Sequence, residues 1–391
     1  MSKIKELYTR LSSFSVFNGI FMKTIFKKFR EYVKESVKDE KIKKYGEFVS
    51  NLYNHGADLT AYIKRIAFED ANVYVKAISA KKEVNTNIED AVKFELDTLS
   101  LFAALTKDDF ALDMEYDGFL PSFDSCNLDL YSEYQIRLKS IERYGYGIFT
   151  ANCMFSVTDT GSVVPVITAD ETTVDDFIGY REERQRVIDN TLSFIQGRSA
   201  SNILLYGDAG TGKSSTVKAV ANHFFDEGLR LVEIRKTQLL LLPKVMAEIS
   251  KNPLKFIIFI DDLSFNQNDD NFSMLKATLE GSASAKAKNA VIYATSNRRH
   301  IVKESFGDRE GNDIHRNDTV QETLSLSERF GLTIRFAKPE KKLYLEIVHE
   351  LARRKGVTMD EGELDIKAEA FALNRGYRSA RCAEQFINSL L

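Results

Sequence analysis

The sequence predicts an α/β protein in which a parallel sheet, covered by helices on both faces, follows a mostly α-helical N-terminal half and precedes a small helical lid. Three observations carry that prediction. From Asp170 onward, short apolar runs alternate with helical patterns, the texture of buried parallel strands joined by crossover helices. One junction in the series is the Gly-rich string Gly207 to Ser214, directly after an apolar run and directly before a helix. The first 169 residues instead carry successive helical patterns, punctuated by Gly118, Pro121 and Asn127.

At 391 residues the chain exceeds one ordinary core. The expected division is 1–169, 170–337 and 338–391. Hydrophobic residues at 43% and charged residues at 28% fit a globular cytoplasmic protein, and a net charge of −3 supplies no global basic field. Three scattered cysteines, Cys126, Cys153 and Cys382, suggest neither a disulfide framework nor a zinc set.

Taken in order, the apolar stretch Leu11 to Phe26 follows Lys3, Lys5 and Arg10 but contains Lys23, and a lysine-rich helical pattern continues to Lys44. An amphipathic helix is expected there, with no membrane span. Gly147 to Val157 and Val163 to Ile167 flank Asp159-Thr160-Gly161-Ser162 as two strands flank a hairpin turn. A helix over Glu182 to Phe194 leads to strands at Asn202 to Tyr206, Arg230 to Ile234, Phe256 to Ile260, Ala290 to Thr295 and Leu332 to Phe336. After Lys338-Pro339 come helices near Glu340 to Lys355, Asp365 to Asn374 and Ser379 to Leu390.

Gly207-Asp208-Ala209-Gly210-Thr211-Gly212-Lys213-Ser214 satisfies G-x-x-x-x-G-K-[ST]. Glycines let the backbone wrap closely and aim N–H groups at phosphate oxygens, at the positive end of the following helix. Lys213 adds a mobile charge for the β- and γ-phosphates. Ser214 brings a hydroxyl for Mg²⁺, an ion whose remaining contacts come largely from water and phosphate.

About fifty residues on, the apolar run Phe256 to Ile260 ends in Asp261-Asp262. Asp261 is the candidate to hold Mg²⁺ through water, and Asp262 the candidate to orient or polarise an attacking water. Alone, two acids after a strand more often cap a helix or sit in a loop; the preceding Gly-rich string favours the chemical reading. Asn297, past the strand ending at Thr295, offers an amide for a γ-phosphate or lytic water, although asparagine at a strand end is commonly a turn former. Arg329 is a candidate arginine finger or a surface ion pair. Arg378 and Arg381 sit where the last helix opens, an unfavourable place for cations that a nearby anion would offset.

These pieces, in this order, resemble the AAA+ superfamily. Walker A is Gly207 to Ser214, Walker B is Phe256 to Asp262, sensor 1 is Asn297, the arginine finger is Arg329, and sensor 2 is Arg378 or Arg381, with Arg378 favoured. The wording of Ile178-Gly179-Tyr180, Gly210 to Ser215, Ile260 to Phe265, Ala294 to His300 and Ser325 to Leu332 resembles one branch, the bacterial predicted-ATPase family of domain of unknown function 815. The resemblance covers about residues 170–391 and leaves the first 169 unassigned. It implies an AAA+ fold, ATP and Mg²⁺ binding, an ATPase activity, and a site completed between subunits of a homo-oligomer. It also puts Ile178, Gly179, Tyr180 and Ser215 with Walker A among the nucleotide contacts. Where many members have Asp-Glu, this chain has Asp261-Asp262, an acid one methylene shorter.

Two functions compete. One is an ATPase that remodels a bound macromolecule; the other is a nucleotide-dependent switch or scaffold with slow turnover. A small-molecule kinase explains fewer of the residues. For the macromolecule, Glu233 to Pro243 lacks an aromatic-apolar-glycine tip, which disfavours protein threading, while Arg298-Arg299-His300 and Lys303 to Gln321 suit nucleic acid or a solvated insertion equally. The first fifty residues carry twelve Lys/Arg against six Asp/Glu, and Glu89 to Asp129 is acidic. Intramolecular charge complementarity is the simpler expectation; selection of a nucleic acid or protein client is the other.

Overall fold

The computed structural model describes residues 2–264, 270–280, 287–297 and 329–391. The chain divides into two compact units, Met1–Ala151 with Lys251–Pro253, and Asn152–Ser250 with Leu254–Leu391.

The first unit is helical: α1 (Lys3–Leu11), α2 (Thr24–Lys34), α3 (Lys38–Tyr53), α4 (Leu59–Glu69), α5 (Val73–Ser79), α6 (Thr86–Ala103), α7 (Lys107–Met114), α8 (Leu130–Leu138) and α9 (Ile141–Tyr144). Its core is rich in aromatic rings, with Phe29 edge-on to Phe102 at 4.8 Å and Phe26 stacked on Phe102 at 4.9 Å. The helix expected through Leu11 to Phe26 is broken, because the backbone there finds another partner. The buried Glu95 carboxylate of α6 accepts from the N–H groups of Ser15 (2.6 Å), Val16 (3.1 Å) and Phe17 (2.7 Å). Three donors that a helix would use are thus satisfied by a side chain.

The opposed charges of this unit partly neutralise each other. Lys3 pairs with Asp109 at 2.8 Å and Lys41 with Asp113 at 2.6 Å. Burial works to raise the Asp113 pKa, but hydrogen bonds from Lys41, Ser2 and Tyr32 outweigh it and hold the carboxyl below its usual range. On α2, Ile25, Phe26, Phe29 and Tyr32 are buried, while Lys27, Arg30 and Lys34, preceded by Lys23 at the N-cap, follow each other at spacings of three and four residues along the opposite face.

The second unit is built on a seven-stranded sheet in the order β2-β1-β4-β5-β6-β3-β7. The strands are β1 (Met154–Val157), β2 (Val163–Pro165), β3 (Ile203–Gly207), β4 (Leu229–Glu233), β5 (Lys255–Ile260), β6 (Ala290–Ser296) and β7 (Leu332–Phe336). All neighbouring pairs are parallel except β1 with β2. In β5, Phe256 to Ile260 are all fully buried, which is why that strand reads as an unbroken apolar run. Helices α10 (Arg181–Ile195), α11 (Lys213–His223), α12 (Leu242–Ile249) and α13 (Asp270–Glu280) connect the strands.

The expected hairpin exists but is shorter, and Gly147–Phe149 forms a 3-10 turn rather than strand. Because β1 pairs with β4, the hairpin belongs to the α/β unit. The division between units therefore falls at 151/152, not at the expected 169/170. Past β7, α14 (Lys341–Lys355), α15 (Glu361–Arg375) and α16 (Ala380–Asn388) close on a small core of their own that includes Tyr344, Val348, Ala368 and Phe386. Among the described residues, no helix is long and apolar enough to cross a membrane.

Candidate functional site

The Gly-rich loop joins the C-terminal end of β3, which lies between β6 and the edge strand β7, to α11. Its shape depends on backbone that only glycine tolerates. Gly207 has φ +138°, and a Cβ there would stand 2.0 Å from the Phe336 carbonyl oxygen at the end of β7. The loop is held from that side as well: Asp208 N–H donates to Phe336 O at 3.2 Å, and its carboxylate accepts from Lys338 N–H at 3.0 Å. Gly212 precedes α11 with φ +88° and no side-chain cap. The donors of the first turn are accordingly left for whatever occupies the space beside them.

That space is a cavity of about 640 Å³. Lys213 lines it, with Nζ donating to the carbonyls of Gly207 (2.9 Å) and Asp208 (2.7 Å) and to Asn297 Oδ1 (3.2 Å). Burial lowers its pKa from the usual value, against the opposing pull of Asp208, Asp261 and Asp262. Ser214 Oγ donates to Asp261 Oδ1 at 2.6 Å, and Asn297 Nδ2 donates to Asp262 Oδ1 at 2.9 Å. Five sequence-predicted residues, Lys213, Ser214, Asp261, Asp262 and Asn297, thus form one bonded chain along the ends of β3, β5 and β6. Asp262 adopts φ +51°, a left-handed conformation uncommon outside glycine, though easier for aspartate than for most residues.

Ala209, Gly210, Thr211, Gly212 and Ser215 also line the cavity, as do Ile178 and Tyr180. Gly207, Asp208 and Gly179 support it instead. Gly179 O accepts from the Arg184 guanidinium, and Tyr180 Oη donates to Ala337 O at 2.6 Å. Arg184 is buried against Phe177, and burial brings its pKa down to about 10.

The two bundle arginines separate. Arg381 lines the cavity, and its N–H donates to Gly210 O at 3.3 Å. Arg378, the favoured sensor 2 residue, does not line it. Its guanidinium grips Glu369 of α15 through two hydrogen bonds of 2.9 and 2.7 Å. Arg329 stands just before β7 and is not among the residues lining this cavity. Arg298, Arg299, His300 and the stretch Lys303 to Gln321 lie outside the described residues. Thr172, Asp176, Phe177, Arg184, Thr295, Ile347, Leu351, Ala380 and Glu384, none of which the sequence singles out, complete the wall.

The strand order, the Gly-rich loop between β3 and α11 and the helical bundle bonded to that loop define an α/β P-loop protein of the AAA+ class. The chain belongs to the DUF815 family, described as a protein of unknown function, whose family model matches residues 150–391. Among solved structures it is similar to the Thermotoga maritima RuvB Holliday junction branch migration motor, at 16% identity and a TM-score of 0.38, over 55% of this chain and 63% of that one. A lysine-to-arginine variant of the same RuvB matches at 14% identity and a TM-score of 0.39, with the same coverage. The chain thus spans under two thirds of these structures. No curated protein matches it.

Proposed function

We propose that the α/β unit binds ATP with Mg²⁺ in this cavity and hydrolyses it to ADP and phosphate, as a subunit of a homo-oligomer that remodels a macromolecule. The observation that carries the reading is the single bonded chain through Lys213, Asn297, Asp262, Asp261 and Ser214, beside a helix N-terminus with no side-chain cap. A cavity of about 640 Å³ lies within the roughly 300–1,000 Å³ common for small-molecule sites.

The residues fit the nucleotide in kind. Backbone N–H groups from Gly210 to Ser215 bind phosphate oxygens, Lys213 and Arg381 add positive charge, and Ser214 with Asp261 holds Mg²⁺. Bound Mg-ATP supplies a phosphoryl group whose transfer to water releases free energy. Asp262 accepts a proton from, or orients, the water, and Asn297 fixes the Asp262 carboxylate. Arg329 serves the site of a neighbouring subunit. For the macromolecule, the α2 face bearing Lys23, Lys27, Arg30 and Lys34 is a surface suited to a polyanion such as nucleic acid.

The test is steady-state phosphate release from Mg-ATP over a protein-concentration series, for wild type, Lys213→Ala and Arg329→Ala, with and without DNA. Turnover per subunit that rises with concentration and falls in both variants supports the reading, and stimulation by DNA names the client. A wild type that binds ATP yet releases phosphate no faster than either variant sinks it in favour of the slow switch, the reading that the shorter acid Asp262 favours.

A further inference from the structure

The hydroxyl of Thr295 touches both acids of the pair and has so far been given no role. Thr295 lies on β6 beside the end of β5, in register one step past the pair Ile260 and Ala294, and is only 2% exposed. Its Oγ1 donates its one hydrogen to Asp261 Oδ1 at 2.5 Å and accepts the backbone N–H of Asp262 at 3.0 Å. The Thr295 carbonyl accepts from Leu263 N–H at 2.7 Å. One residue therefore engages three successive positions after β5.

Each bond has a consequence for an acid. Asp261 Oδ1 already accepts from Ser214; with Thr295 as a second side-chain donor, that oxygen is occupied and the carboxylate rotamer is fixed. At Asp262 the bond is to the backbone. It holds the N–H of a residue at φ +51°, and that conformation delivers Asp262 Oδ1 to Asn297. A hydrophobic residue of the same shape would fill the space, take one donor from Asp261 Oδ1 and leave the Asp262 N–H with Asp261 Oδ1 alone, which it also reaches at 3.1 Å.

We propose that Thr295 is a positioning residue for the ATPase reaction, setting the metal-side carboxylate of Asp261 and the backbone conformation of Asp262 through one hydroxyl. The inference rests on the function proposed above. Loss of a group that supports a metal ligand typically costs about 10- to 100-fold in metal affinity or activity.

The experiment compares wild type, Thr295→Val and Thr295→Ser in two assays: steady-state ATP hydrolysis, and binding of a fluorescent ATP analogue titrated with Mg²⁺. Circular dichroism melting checks each fold. Thr295→Val is expected to lower kcat about 10- to 100-fold with KM for ATP within about 3-fold, and to weaken the Mg²⁺ dependence of binding about 10-fold. Thr295→Ser, which keeps the hydroxyl, is expected within about 3-fold of wild type in both assays. If Thr295→Val melts early, Thr295→Cys, with a weak donor of similar size, carries the same expectation. A Val variant equal to wild type, or a Ser variant as impaired as Val, overturns the proposal. A wild type without turnover defeats the ATPase reading alone, and the Mg²⁺ titration then decides the role of Thr295.

Discussion

The backbone N–H of Arg381 donates to the carbonyl of Gly210 at 3.3 Å, so the first turn of α16 is bonded to the Gly-rich loop itself. Arg381→Ala keeps that backbone bond but removes the guanidinium of a residue lining the cavity, and is expected to weaken nucleotide binding about 10-fold, the loss of one charge-assisted contact. Arg378→Ala, whose guanidinium is spent on Glu369, is expected to leave affinity within about 2-fold while lowering the melting temperature. Titration with a fluorescent nucleotide separates the two; equal losses of affinity would contradict the assignment.

Arg329 and Lys213 belong to different sites if the finger acts between subunits. Each alanine variant alone is expected to be nearly inactive, with Arg329→Ala losing about 10³- to 10⁵-fold. Mixing them at equal concentration should restore activity, because some interfaces then combine an intact Arg329 with an intact Lys213. Phosphate release that stays at the level of the separate variants, in a mixture shown by sedimentation to assemble, rules out action in trans.

A methyl group at Gly207 would meet the Phe336 carbonyl carbon at 2.7 Å and its oxygen closer still. Neither partner is a flexible side chain, so relief requires β3 and β7 to part. Gly207→Ala is expected to destabilise the α/β unit by about 3 kcal/mol or more, combining backbone strain with overpacking. Urea unfolding followed by fluorescence measures this, and a midpoint equal to wild type counts against the geometry.

Asp113 gives a pH prediction for the helical unit. Its carboxyl is held below the usual range by Lys41, Ser2 and Tyr32, against the opposing effect of burial. A depressed folded-state pKa stabilises above the unfolded value, about 3.9, and is lost as pH falls through the folded one. Acid unfolding should therefore shift to higher pH in Asp113→Asn, which also leaves Lys41 buried without its charge partner and costs about 3 kcal/mol at neutral pH. Parallel acid titrations of both proteins by circular dichroism check the sign.

The central strands of the α/β unit were legible because they are buried on both faces, β3 to β6 differing from the reading by about a residue at their ends, while the edge strand Leu332–Phe336 lies as read with Thr333 and Arg335 exposed and the hairpin strands are shorter than read. Lys213, Ser214 and Asp261 were legible because their types recur at fixed places around a strand end. The pairing of Arg378 with Glu369, nine residues away on α15, was not legible, because spacing gives no sign of it. Thr295 was hidden differently. A threonine inside an apolar run reads as a β-former, and only the register of β5 against β6 gives its hydroxyl two partners. The break after Leu11 likewise depends on Glu95, some eighty residues on.

At the edge of the sheet opposite β7 lies β2, three residues long and ending at Pro165. Proline has no N–H to offer a further strand, and so short an edge gives little template for another chain. Without β1 and β2, the rim of β4 would present five residues of unpaired backbone, Leu229 to Glu233, to any extended segment it met. The hairpin thus acts as a stop on sheet growth. A chain cut to begin at residue 170 would keep the whole Gly-rich loop and both acids, yet gain an adhesive rim, and its failure in solution would be aggregation rather than loss of chemistry.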